Sequence, residues 1–78
     1  MTPEQCRAAR ALAGLSQKQL AHASRLSVGT VAYFEAGTRK PQRATLQEIR
    51  ATLETHGVLV TRDGVRWASP EWVPSAAG

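Results

Sequence analysis

The sequence predicts a mainly α-helical chain, four short helices followed by a C-terminal β-hairpin, and three observations carry that prediction. Small polar residues able to cap a helix stand at Thr2, Ser16 and Ser27, each with a side-chain oxygen that can accept from an orphan backbone N–H. Between and beyond them apolar residues recur at helical spacing as far as Leu53. After Gly57 the pattern changes to short β-branched runs on either side of Asp63-Gly64, a strong signal for a hairpin turn.

Thr2-Pro3-Glu4-Gln5 opens the first helix, with Thr2 as N-cap, Pro3 at the first helical position and Gln5 completing a capping box. The helix is expected to run to about Ala13 and stop at Gly14, with Cys6, Ala9, Leu12 and Ala13 on one face and Arg7 and Arg10 towards another. Ser16 with Gln19 is a second capping box, and Leu20, Ala21 and Ser24 form a narrow inward stripe that lets another helix cross closely. Ser27 caps a third helix only three residues later, which makes the pair a helix-turn-helix unit. Val31 and Phe34 continue the buried face and Gly37 closes it. A fourth helix is expected over about residues 44–56, with Thr45 and Glu48 as its capping box and Leu46, Ile49 and Leu53 inward.

In the hairpin, a two-residue turn at Asp63-Gly64 sets Val60 opposite Trp67 and Arg62 opposite Val65. Val58, Val60, Val65 and Trp67 then share one face, and Leu59 lies on the other. A lone two-stranded hairpin is marginal in water. This one must pack on the helices, pair with the same hairpin of a second copy, or do both. The organisation expected is a helical unit over residues 1–57, a hairpin over 58–68 and an extended tail over 69–78. Val58, Val60, Val65, Trp67 and, in the tail, Trp72 are the candidates for a dimer or partner interface.

Leu15-Ser16-Gln17, Leu20-Ala21, Ser27, Thr30-Val31, Phe34-Glu35, Gly37 and Pro41, taken with their spacing, resemble the phage-repressor and Cro-type (Xre-like) helix-turn-helix family over roughly residues 6–53. The resemblance implies a four-helix lambda-repressor-like domain that binds double-stranded DNA, usually as a homodimer regulating transcription on a short inverted repeat. It implies that Arg10 and Glu35 form a structural ion pair and that Gln17 clamps the DNA backbone beside Lys18. It also places Ser27, Val28, Gly29, Ala32 and Tyr33 on the exposed face of the recognition helix. The loop carrying Arg39, Lys40 and Arg43 would lie along the phosphates, with Arg43 near the minor groove. Arg25 departs from the family pattern, which usually has Gly at that turn. A non-Gly residue held at positive φ costs on the order of 1 kcal/mol.

Charge agrees with a polyanionic partner. The chain carries a net +4, and residues 1–43 hold seven Lys or Arg against two Glu while residues 44–78 hold three against four acids. Yet the exposed face of the third helix lacks the Arg, Gln or Asn that make bidentate contacts with bases. That deficit keeps an alternative open, in which the same scaffold grips another protein as an antiactivator or antitoxin-like partner. The single cysteine excludes an internal disulfide, and His22 and His56 have no neighbours at metal-ligand spacing, so they read as surface residues. No cofactor is expected. No Ser/His/Asp, paired-carboxylate or Gly-rich phosphate motif is present, so an enzyme is not expected. No signal-peptide or membrane-spanning pattern is found, and a reducing cytoplasm is the expected location.

Overall fold

Three of the four helices start on a side chain that caps them, and the chain order follows from those starts. The computed structural model describes residues 1–68; the expected tail, with Trp72, lies outside the described residues. The elements are α1 (Pro3–Ala13), α2 (Gln17–Ala23), α3 (Val28–Glu35), α4 (Arg43–Thr55), β1 (Val58–Val60) and β2 (Val65–Trp67). Thr2 and Ser16 each close a full capping box, with Gln5 and Gln19 reaching back to the cap backbone. Ser27 accepts from the Thr30 N–H at 3.2 Å.

The starts differ at α4. Its N-cap is Gln42, which makes no side-chain cap bond, and the expected Thr45–Glu48 box does not form because Thr45 already lies inside the helix. Arg43 and Ala44 are good helix formers, and past Pro41 nothing holds the backbone out of the helical region. The helix therefore begins upstream of the capping candidate.

One core joins all six elements. Cys6 and Ala9 from α1, Leu20 and Ala21 from α2, Val31 and Phe34 from α3, Ile49 and Leu53 from α4, and Val58 and Val60 from β1 are buried together. Leu12, Leu15, Leu26, Leu46 and Val65 pack around them. The buried hydroxyl of Ser24 donates to Thr52 Oγ1 at 2.8 Å, and Thr52 Oγ1 donates to the Glu48 carbonyl at 3.1 Å, so α2 and α4 meet through a satisfied polar chain.

The hairpin has a different register from the one expected. Val58 faces Trp67, Leu59 faces Arg66 and Val60 faces Val65. The tip is Arg62-Asp63, with Thr61 and Gly64 closing it: the Thr61 N–H donates to the Gly64 carbonyl at 2.8 Å, and the Gly64 N–H donates to Thr61 Oγ1 at 3.1 Å. A turn centred on Asp63-Gly64 needs Gly64 in the left-handed region, and Gly64 is not there. The Thr61 hydroxyl meets the Gly64 N–H instead. Because the slip is two residues, the facing pattern survives. Val58 and Val60 are buried and Val65 is half-buried, but Trp67 is 54 % exposed because α1 and α4 both pack on β1 while β2 meets α1.

Polar ties seat the hairpin as well. Arg50 Nη1 donates to the Val60 carbonyl at 2.8 Å. Gln5 Nε2 donates to the Thr61 carbonyl at 2.8 Å and the Gly64 carbonyl at 3.3 Å. The Ala68 N–H donates to the Gly57 carbonyl at 2.8 Å. Antiparallel ladders alternate, so the backbone groups of Val65 and Trp67 point to the outer side of β2. No described strand pairs with that edge.

Candidate nucleic-acid interface

The unit that presents α3 is held by its turn. α2 ends in a Schellman arrangement, with the Leu26 N–H donating to the Ala21 carbonyl at 2.8 Å and the Arg25 N–H to the His22 carbonyl at 3.2 Å. The same pattern ends α1 at Gly14 and α3 at Gly37, where glycine takes the left-handed position without strain. At α2 that position falls to Arg25, with φ of 60°. The turn keeps its geometry and carries the strain expected of a side chain there.

Beneath α3 lies a carboxylate hub. Glu35 is 2 % exposed and receives Arg10 through two bonds, Nε to Oε2 at 2.8 Å and Nη2 to Oε1 at 3.0 Å. Gln17 Nε2 donates to Oε1 at 3.0 Å and the Cys6 thiol donates to Oε2 at 3.4 Å. Arg7 Nη1 donates to the Glu35 backbone carbonyl, and Arg10 Nη1 to the Leu15 carbonyl at 3.0 Å. One side chain thus ties α1, α2 and α3 together. Burial pushes the Glu35 carboxyl up, but the hydrogen bonds from Arg10, Gln17 and Cys6 and the Arg10 charge outweigh it and hold the group below the usual carboxylate range.

The same neighbour has the opposite effect on Cys6. Burial, then the Glu35 charge and hydrogen bond, push the thiol up to about 12, against the opposing charges of Arg10 and Arg7. The native thiol is therefore expected to resist a thiol-specific disulfide reagent near pH 8, reacting only as fast as the chain opens, whereas the unfolded chain reacts at once. Immediate labelling of the folded protein would show that the thiol is accessible.

The residues expected at the interface fall into distinct settings. Lys18 and Val28 line one open groove of about 520 Å³ with Gln19, Ala21, His22 and Leu26. Val28 and Tyr33 are half exposed, at 50 % and 52 %. Ala32 and Gly29 are partly covered. A Cβ on Gly29 would lie 3.5 Å from Tyr33 Cε2, an ordinary contact, so the fold itself does not require glycine there. Ser27 is exposed, but its hydroxyl is taken up by Thr30, whose Oγ1 lies 2.9 Å away and whose N–H it accepts. Gln17 turns one amide hydrogen inward to Glu35, and the other has no hydrogen-bond partner among the described residues.

Arg39, Lys40 and Arg43 stand exposed on the loop and the first turn of α4. The Arg39 guanidinium carbon sits 5.3 Å from the Tyr33 ring centroid, within cation–π range. Among the described residues the one ion pair is Arg10–Glu35, so Lys18, Arg39, Lys40 and Arg43 have no carboxylate partner there. Links not apparent from spacing include Arg7 to the Glu35 carbonyl, Gln17 and Cys6 to the Glu35 carboxylate, Gln5 and Arg50 to the hairpin, and Arg39 to Tyr33. None has a signature at the level of local pattern, since each joins residues that only the fold brings together.

Among the described residues no cluster of His, Cys, Asp and Glu is arranged to hold a metal, and no helix is long and apolar enough to cross a membrane. A family model described as helix-turn-helix matches residues 7–58 of the chain. No curated protein matches it.

Proposed function

Because the chain belongs to the Xre/Cro/lambda-repressor-like helix-turn-helix family, a family of DNA-binding regulators, we propose that it is a small transcriptional regulator acting as a dimer on a short inverted repeat. The observation that carries this reading is the surface around α3. Its carboxylate, Glu35, is buried and paired, while Lys18, Arg39, Lys40 and Arg43 are exposed and unneutralised among the described residues. α3 enters the major groove, with Ser27, Val28, Gly29, Ala32 and Tyr33 facing the bases, and Val28 and Ala32 suit thymine methyl groups. Gln17, Lys18, Lys40 and Arg43 position the domain on the phosphates, and Arg39 stands beside Tyr33 at the edge of the base-facing surface.

The open β2 edge, flanked by exposed Trp67 and half-buried Val65, supports pairing with a second copy. A two-fold axis at Arg66 would set like charges opposite each other, so the pairing is offset from it. Recognition helices related in this way stand about one DNA turn apart, ~34 Å. Light scattering at tens of micromolar is expected to report a dimer, and a monomer under those conditions contradicts this arrangement.

Fluorescence anisotropy with a duplex from the region upstream of the protein's own coding sequence tests the main reading. Binding is expected to weaken steeply with salt, and each alanine substitution at Lys18, Lys40 or Arg43 that frees one phosphate is expected to reduce the salt slope by about 1. A slope unchanged by all three substitutions, in folded protein, removes these residues from the interface.

The apolar stretch of the same face favours a second reading. Val28 is half exposed beside the groove formed with Leu26 and Ala21, and such a surface suits another protein's side chains. Absence of DNA binding at low salt, together with a co-purifying protein that no longer associates with the Val28→Asp variant, selects this antiactivator or antitoxin-like role.

A further inference from the structure

We propose that Arg39, seated on the ring of Tyr33, is the residue through which the α3 face reads a guanine, an inference that rests on the DNA-binding reading above. The helix itself supplies no side chain with a bidentate donor pattern, and the hydroxyl of Ser27 is occupied by its own cap. The reader comes from the following loop. Gly37 takes the left-handed conformation, and the chain folds back so that both the backbone N–H and the hydroxyl of Thr38 donate to the Tyr33 carbonyl, each at 3.1 Å. Tyr33 is thus pinned to the loop by its carbonyl and carries the next loop residue on its ring. The ring edge lies over Gly29, 3.5 Å from where a Cβ would stand, so no side chain lies between the ring and the helix there.

This arrangement separates Arg39 from Lys40 and Arg43. The ring holds its guanidinium on the helix side of the loop, and among the described residues that guanidinium has no hydrogen-bond or carboxylate partner. Its free donors form the planar fork that matches the O6 and N7 acceptors of guanine, the commonest specific contact in the major groove. A lysine has the charge without the fork. Stacking on Tyr33 restricts the side chain before binding, which lowers the ordering cost of reaching the base.

Selection of bound duplexes from a random pool, followed by sequencing, tests the assignment with the full chain and its Arg39→Lys, Tyr33→Leu and Tyr33→Phe variants. The unaltered protein is expected to select a guanine at one fixed position of each half-site, where another base weakens binding roughly ten- to a hundred-fold. Arg39→Lys and Tyr33→Leu are expected to flatten the preference at that position alone. Tyr33→Phe, which keeps the ring, is expected to retain it. The assignment is overturned if Arg39→Lys selects the same guanine as the parent, or if it weakens all sequences alike, as releasing a phosphate would. Failure of the parent protein to bind any duplex at low salt sinks the DNA-binding reading and this assignment together; binding with an unchanged preference in Arg39→Lys sinks only the assignment.

Discussion

A chain ended at Gly57 is expected not to fold. The hairpin places Val58 and Val60 in the core shared by the helices, at 0 % and 7 % exposure. Burying each contributes about 1.5–3 kcal/mol. Truncation also leaves Gln5 and Arg50 without the carbonyls they now meet. The loss, roughly 3–6 kcal/mol before those bonds are considered, approaches the entire folding free energy of a chain this size, about 4–12 kcal/mol. Circular dichroism and amide proton dispersion should show a largely unfolded peptide, and Val58→Ala in the full chain should show a smaller, graded loss. A truncated chain that melts cooperatively with its helices intact would make the hairpin an appendage.

Glu35→Ala is expected to be the most damaging single substitution in the helical unit. It removes the acceptor for Arg10, Gln17 and Cys6 at once and leaves Arg10, only 21 % exposed, without its counter-charge. A loss of about 3 kcal/mol is expected for breaking such a pair. In a domain of this size that lowers the melting temperature by roughly 15 °C. Glu35→Gln restores an acceptor without the charge and should fall between.

The pH dependence has a definite sign. The folded carboxyl titrates below its unfolded value, which is near pH ~4.3. Its contribution is complete above that value and is lost as pH falls through the lower folded one. Glu35→Gln should lack this part of the acid limb, and identical acid limbs in the two proteins would show that the carboxylate is not held in its charged form.

Local chemistry made most of the helices legible. Thr2-Pro3-Glu4-Gln5 and Ser16 with Gln19 announce their starts because a capping box is complete within four residues. The spacing of Leu20, Val31, Phe34, Ile49 and Leu53 announces the core for the same reason: helical periodicity is a local property. Residues whose role depends on distant groups were not legible. Asp63-Gly64 signals one turn in isolation, but Thr61 lends its hydroxyl to Gly64 and Gln5 arrives from α1, and together they hold another. Thr45 matches a cap, yet a helix that has already begun upstream has no use for it. Arg39 reads as one cation among three, and only the return of the loop over α3 sets it on Tyr33.

Gln5 serves both ends of the described chain. Its side-chain oxygen accepts the Thr2 N–H at 2.9 Å, and its nitrogen reaches the Thr61 carbonyl at 2.8 Å. Fraying of the first turn of α1 and loosening of the hairpin tip are thus expected to be coupled, since each weakens the hold on the amide that restrains the other. Solvent exchange at the two places is expected to keep a common rhythm, rising and falling together with temperature and denaturant.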